Sequence, residues 1–420
     1  MSRLSARALK LAVSAIRKSG LLPKSIPDGR GDEALIAKRF PKAEVMVFFG
    51  DTVNGLYQLR PWYPALRELH RHHPVVIVGT DSRAIATIRH EAHLPAFTIS
   101  HYSSVDLILS KADIGLVLYV NHNSANFPVL AFPQLVHVSI MHGDSDKVVS
   151  VSAQTRAYDF TFVAGQAAID RLAAHLPRFN AAERCLIIGR PQAAPPAAEA
   201  LAEDLEGRAP ADGPVRVLYA PTWEGGTGSA AYSSLVGYGE QIVRQLMANP
   251  RFALTYRPHP LTGTRLPEFA DANARLKALI AAAAKRAEGG APSAQVSRLP
   301  DAVDDLWAAD LLITDISSLA IDFLVTGRPL AITIPPDPAA VPAPTRLLEV
   351  APRLGRPELA DVPAFLEGIL AADAAGAGAP AKERAEVARY YLSDTSPGAA
   401  IAAFVEACGR MLDLAKAAEA

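Results

Sequence analysis

The sequence predicts an α/β protein built from two Rossmann-like halves, and three observations carry that expectation. First, short apolar runs rich in β-branched residues alternate with longer stretches of helical length from Glu44 onward. Alternation of this kind argues for parallel sheets covered on both faces. Second, the pattern stops at positions 191–214, PQAAPPAAEALAEDLEGRAPADGP, and resumes at Val215. Third, 420 residues exceed what one ordinary core holds, so two domains are the natural division.

The elements follow in order. VMVFF, PVVIVG, AFTI, DIGLVLYV, LVHVSI, FTFVAG and CLIIG are strand-length runs that assign positions 44–190 to a first Rossmann-like domain. Positions 191–214 are rich in Ala and Pro and poor in large apolar residues, which suits a linker. VRVLYA, RFALTYRPHP, QVSRL, LLIT and PLAITIP then make a second domain over 215–380. Positions 381–420 read as closing helices that return toward the first domain. The expected architecture is two facing Rossmann-like domains with a cleft between them.

Composition narrows the function classes. Half of the residues (50%) are hydrophobic and 20% are charged, which describes a globular chain. A net charge of -1 excludes a general nucleic-acid binder, so any anion site must be local. Cys185 and Cys408 are the only cysteines, so neither a disulfide framework nor a thiolate zinc cluster is expected, and a cytoplasmic setting follows. No apolar segment approaches the roughly 20 residues that span a bilayer. Positions 1–43 form a separate segment. It carries Arg3, Arg7, Lys10, Arg17, Lys18 and Lys24 with no acidic residue before Asp28, and Leu4, Leu11, Ala15 and Ile16 share a helical face. That pattern suits a helix lying on anionic lipid at the inner face of the plasma membrane, or else a loose chain end.

Four polar clusters follow expected strands. LLITDISSLAIDFLVTGRPL, positions 311–330, reads as strand, tight turn and helix, with Asp315 as N-cap and the hydroxyls of Ser317 and Ser318 beside the helix's first N–H groups. The same stretch also fits a capped helix without a ligand. MHGDSDK holds His142 and Lys147, YAPTWEGG holds Thr222, and YRPHP holds Arg257 and His259. A histidine before a glycine can project from a tight turn to remove a proton from a hydroxyl. Arg257 and His259, spaced two apart in an extended run, are expected on one side, where they suit a phosphate. Loops GDTVNGLYQ and NHNSANF follow strands too, and nominate Asn54 and Asn126 for acceptor contacts.

Other patterns point elsewhere. Asp144-Ser145-Asp146 matches the D-x-D of metal-dependent glycosyltransferases, but such short patterns recur by chance. ELHRHHP and HEAH read as solvated helix faces rather than metal sites, since HEAH is one residue short of H-E-x-x-H. No metal ligand set is evident.

Taken together, the clusters resemble the CDP-glycerol glycerophosphotransferase family, teichoic-acid-type enzymes of GT-B fold. The resemblance rests on His142-Gly143 with Lys147 at the family's spacing, on Tyr219 to Trp223, on Arg257 to Pro260, and on Ile313 to Ser318 followed by Ile321-Asp322-Phe323 and Gly327-Arg328-Pro329. Two departures stand out, Glu224 after the Tyr-Ala-Pro-Thr-Trp element and Asp-Ser-Asp at 144–146. The resemblance implies transfer of glycerol phosphate from CDP-glycerol, or a related CDP-alditol, to an envelope-polymer hydroxyl, with release of CMP. It implies His142 and His259 as catalytic groups and Thr222, Arg257, Asp315, Ser317 and Ser318 around the donor phosphates; the acceptor-side candidates are Lys147 and, from the strand-end loops, Asn54 and Asn126. A lipid-linked or polymeric acceptor is the implied partner. No cofactor is required, although magnesium on the nucleotide stays open. The alternatives are a GT-B nucleotide-sugar glycosyltransferase and a non-catalytic GT-B scaffold in an envelope-polymer complex.

Overall fold

The structure is a computed structural model that describes residues 27–141, 143, 151–195, 213–225, 231–286, 294–299, 301–374 and 379–419. It contains two parallel sheets. The first comprises β1 (Val45–Phe49), β2 (Val75–Gly79), β3 (Ala96–Thr98), β4 (Leu116–Tyr119), β5 (Val136–Ser139), β6 (Phe160–Val163) and β7 (Cys185–Ile187), in the order β3-β2-β1-β4-β5-β6-β7. The second comprises β8 (Val215–Ala220), β9 (Phe252–Tyr256), β10 (Ala294–Val296), β11 (Leu311–Thr314), β12 (Leu330–Thr333) and β13 (Arg353–Leu354), in the order β10-β9-β8-β11-β12-β13. Every apolar run read as a strand in the sequence is one. Only β13 escaped, because two residues at a sheet edge carry no period.

Two compact units emerge from the packing. One comprises Met1–His142, Gln154–Thr161 and Val405–Ala420, and the other Gly143–Ala153 and Phe162–Phe404. In the second unit, β8 shows why the sheet is doubly wound. Val215, Val217 and Tyr219 enter one core with Leu254, Tyr256 and Ile313, while Leu218 and Ala220 enter another with Leu312 and Ile332. A strand buried on both faces must be apolar throughout, and VRVLYA nearly is. In the first unit Met46, Phe48, Val76, Val78, Val117 and Tyr119 pack together in one core on one face of the sheet.

The helices that matter below are α1 (Pro267–Arg286), α2 (Ala302–Ala308), α3 (Ser318–Phe323), α4 (Val362–Ala374), α5 (Ala379–Leu392) and α6 (Ala399–Glu419). Strand order reverses between β1 and β4 in the first sheet and between β8 and β11 in the second. Outside the carboxyl ends of strands at such a reversal is where open α/β sheets hold ligands. In the second sheet, β11 lies beside β8 with Thr314 opposite Ala220, so the segments Pro221–Gly225 and Asp315–Ser318 leave the sheet side by side. Among the described residues no helix is long and apolar enough to cross a membrane.

Candidate functional site at the reversal of the second sheet

Asp315 is the hub of the loops at this point, and its role differs from the expected cap. Its carboxylate is fully buried; Oδ2 accepts from the Thr222 N–H at 2.6 Å, and Oδ1 accepts from the Ser234 N–H at 3.1 Å and from the Thr333 hydroxyl. One side chain thereby ties together the segment following β8, the end of β12 and the loop at 233–234. The N-cap of α3 is Ser317, and Asp315 is two residues too early to reach the helix's N–H groups. Burial raises the Asp315 pKa, opposed by hydrogen bonds from Ser234, Thr333 and Thr222. Asp315 therefore positions the loops and does not face a ligand. Thr222, 4% exposed, is likewise committed: its N–H serves Asp315 and its carbonyl accepts from the Ser233 hydroxyl at 2.7 Å.

The start of α3 remains open for chemistry. Ser317 does not cap it with its side chain, and its hydroxyl lies 3.2 Å from that of Thr314. Ser318 is partly exposed, and among the described residues nothing hydrogen-bonds its hydroxyl. The first N–H groups of a helix lack intrahelical partners. Gly143 sits against this turn: a Cβ placed on it would lie 3.4 Å from the Ser318 Cβ and 4.0 Å from Nη2 of Arg190. A Cβ there would make ordinary van der Waals contact with Ser318, so the two residues are close neighbours.

Arg190, which the sequence reading passed over, comes from the segment following β7. It is 6% exposed and pairs with Asp322, one turn of α3 beyond Ser318, with Nε to Oδ1 at 2.5 Å and Nη2 to Oδ2 at 3.2 Å. The only sequence signal was the Asp of Ile321-Asp322-Phe323, a carboxylate on a helix whose neighbours are buried. Such a carboxylate needs a cation.

The wall beyond β8 and β9 is built differently from the expected phosphate clamp. Arg257 and His259 diverge, because the strand ends at Tyr256 and Pro258 breaks the two-residue alternation. Arg257 Nη1 is turned to Asp305 on α2 at 2.5 Å, to the Ser297 hydroxyl at 3.1 Å and to the Leu299 carbonyl at 3.0 Å. His259 instead stacks on Trp223, with centroids 6.2 Å apart and planes 21° apart. Its Nδ1 accepts from the Leu261 N–H at 3.1 Å, so in the neutral ring the proton sits on Nε2, which is then a donor.

Glu224 explains itself in this setting. It is 3% exposed and accepts from the N–H groups of Gly263 at 3.0 Å, Arg265 at 2.8 Å and Leu266 at 3.3 Å, fastening the turn before α1. Gly263 has φ +79°, and a Cβ there would strike Ala270 at 2.6 Å, so this turn requires glycine. Burial alone would raise the Glu224 pKa, yet the backbone donors bring it below the usual value. The departure at Glu224 is thus a fastening between loops.

His142 and Lys147, with Asp144-Ser145-Asp146, lie outside the described residues. In the first unit Asn54 is exposed on the 3-10 turn Val53–Gln58 that follows β1. Asn126 is not available for an acceptor: it is 1% exposed, and its Nδ2 donates to the Asn121 carbonyl at 2.8 Å and to the Tyr158 hydroxyl at 2.9 Å. The loop NHNSANF is held by its side chains bonding to backbone and to other segments: Asn123 accepts from the Ala125 N–H and Asn121 donates to Gln58. His122 in the same loop stacks on Tyr158 with ring centroids 5.8 Å apart, and burial pushes its pKa down to about 4.

Residues 134–336 match the family model described as CDP-Glycerol:Poly(glycerophosphate) glycerophosphotransferase. Over this stretch the chain is similar to the glycerophosphotransferase family. The matched span runs from just before β5 to just after β12, and includes Gly143, Arg190, Thr222, His259 and Ser318. No curated protein matches the chain. Among solved structures, the wall teichoic acid polymerase TagF superposes with a TM-score of 0.56 at 12% identity, over 91% of this chain and 93% of that one. A histidine variant of TagF soaked with CDPG gives 0.54 at 13% identity, covering 98% and 99%. The UDP-GlcNAc 2-epimerase of Neisseria meningitidis bound to UDP-GlcNAc gives 0.52 at 11%, covering 87% and 100%. At these identities the likeness establishes the GT-B type of fold.

Proposed function

We propose that this protein moves a glycerol phosphate unit from CDP-glycerol to a hydroxyl of a teichoic-acid-like or capsule-like acceptor. The observation that carries the reading is the meeting of Gly143 and Ser318, from two separate family elements, with Arg190 at the start of α3. In the reaction the acceptor oxygen attacks the β-phosphorus of CDP-glycerol. A new P–O bond forms there, the bond from that phosphorus to the bridging oxygen breaks, and CMP leaves with the electron pair. The acceptor's proton passes to His142, the residue that precedes Gly143 in sequence.

The other residues act on charge. Negative charge gathers on the bridging oxygen as CMP departs, and fixed donors aimed there lower the barrier. The Ser318 hydroxyl, the first N–H groups of α3 and the Nε2–H of His259 are such donors. Arg190 holds the helix through Asp322 and adds a cation beside Ser318. This reading needs no metal ion, and turnover in the presence of EDTA tests that. The acceptor is lipid-linked, and the basic segment at positions 1–26 brings the chain to anionic lipid; sedimentation with vesicles containing phosphatidylglycerol tests this part.

The test of the whole is a donor screen with CDP-glycerol, CDP-ribitol and UDP-sugars, reading release of CMP or UDP. CMP release from CDP-glycerol supports the assignment. Release of UDP instead would make the protein a glycosyltransferase, and failure to bind any nucleotide would leave it a scaffold. His142→Ala is expected to bind CDP-glycerol while losing turnover; full activity in that variant removes the base.

A further inference from the structure

The second unit contains a cavity that the reaction above leaves unused. It measures about 580 Å³ and lies along α5, against the 3-10 turn Leu324–Thr326 and Gly327. Small residues open it: Ala381, Ala385 and Ala388 recur at helical spacing on the face of α5 that lines the cavity. From Ala381 to Ser393 the lining follows α5 for about 18 Å at 1.5 Å per residue. The space is therefore elongated, much longer than one compact anion.

Its chemistry is that of a receptor for an anionic polyol. Arg384 is fixed in the wall, with Nε donating to the Gly327 carbonyl at 2.8 Å and Nη2 pairing with Asp373 of α4 at 2.7 Å. Arg389, farther along the helix, is exposed, and among the described residues its guanidinium has no ion pair. Ser393, Thr395 and Ser396 line it too, together with one carboxylate residue, Asp394, while the Thr326 hydroxyl donates to the Phe323 carbonyl at 2.7 Å. Guanidinium groups separated along a groove and interspersed with hydroxyls match a chain in which phosphates and hydroxyl-bearing carbons alternate.

A second, smaller cavity shares Val325, Asp394, Thr395 and Ser396 with the first and extends to Arg190 and Trp307. Arg190 is the residue beside Gly143 that pairs with Asp322. The two cavities adjoin through these shared residues, the second with room of only about 40 Å³.

We propose that the larger cavity holds the poly(polyol phosphate) backbone of the acceptor some repeats away from its reacting hydroxyl. The proposal rests on the glycerophosphotransferase reading, and it separates from that reading experimentally. Calorimetry would compare inorganic phosphate, sn-glycerol 3-phosphate and a synthetic tri(glycerol phosphate) on the wild-type chain, Arg389→Ala and Ala385→Trp. The first variant removes one charged donor and the second fills the groove from an exposed helix position. The trimer is expected to bind the wild type more tightly than phosphate does, to weaken about tenfold in Arg389→Ala, the worth of a charge-assisted hydrogen bond, and to lose binding in Ala385→Trp, where the indole occupies the groove. CDP-glycerol binding in the same samples reports whether the fold survives, and Ala385→Trp decides the matter should Arg389→Ala not fold. Trimer affinity unchanged in the folded variants, a trimer no tighter than inorganic phosphate, or no binding at all would overturn the groove. CMP release from CDP-glycerol by the wild type tests the underlying reaction independently, so a chain that turns over donor but ignores the trimer fails only here.

Discussion

Arg190 reaches Asp322 across 132 positions of sequence and grips it with two guanidinium nitrogens, Nε to Oδ1 at 2.5 Å and Nη2 to Oδ2 at 3.2 Å. Side-chain exposures of 5% and 13% make this a buried pair. Removing one partner of such a pair strands the other, at a cost of about 3–5 kcal/mol. Arg190→Ala is expected to lose that much in urea unfolding, and Arg190→Lys to lose part of it, because an ammonium cannot reproduce the two-pronged contact. The double variant Arg190→Ala with Asp322→Ala should recover stability without recovering turnover. Recovery of turnover in the double variant would leave Arg190 with no part in the site beyond its bond to Asp322.

Asp315 separates a loop-positioning role from donor binding. Asp315→Ala leaves the Thr222 and Ser234 N–H groups and the Thr333 hydroxyl buried without their acceptor, each at a cost of about 1–3 kcal/mol. The expected result is a loss of at least about 3 kcal/mol in chemical denaturation, with Asp315→Asn losing less. An alanine variant that melts like the wild type and loses only CDP-glycerol affinity would show a ligand contact instead.

His259 should carry its proton on Nε2, since Nδ1 accepts from Leu261. Nitrogen-15 spectra of histidine-labelled protein distinguish the tautomers directly. Trp223→Ala is expected to release the ring from its stack and weaken CDP-glycerol binding, whereas Trp223→Phe keeps a flat partner and most of the affinity. A protonated Nδ1 would reverse the assigned donor.

His122 sets an acid limit on the first unit. Its folded pKa of about 4 lies below the ordinary histidine value, so the unfolded chain binds the proton more readily. Its contribution is present above pH 6.5 and is lost as pH falls toward 4, by at most about 3 kcal/mol. His137, whose pKa burial also lowers, adds to the same slope. Urea unfolding at pH 7 and pH 4.5 measures it, and His122→Gln should flatten the dependence. An equal slope in that variant would assign the acid sensitivity to other groups.

The elements were legible in the sequence because burial leaves a local mark. VRVLYA is apolar on both faces since the second sheet is covered on both sides, and TDISS was visible as a turn because polar residues interrupt two apolar runs. Side-chain direction left no such mark. Asp315 and Ser317 both suit a helix cap by residue type, and only the positions of Thr222, Ser234 and Thr333 decide that Asp315 faces inward. Asn126 failed as an acceptor contact for the same reason, its partners Asn121 and Tyr158 arriving from its own loop and from the end of a distant turn.

By itself the sequence determined two parallel sheets, the loops that leave their carboxyl ends, and the family elements those loops carry. Tertiary structure alone decided that Arg257 turns to Asp305 while His259 stacks on Trp223, that Glu224 fastens the turn before α1, and that Arg190 stands at the start of α3. The physical reason is one of range. Secondary structure follows from periodic burial within a few residues, whereas a polar side chain in a loop points toward whichever donor or acceptor a distant segment delivers, and leaving it unpaired in the interior costs more than turning it.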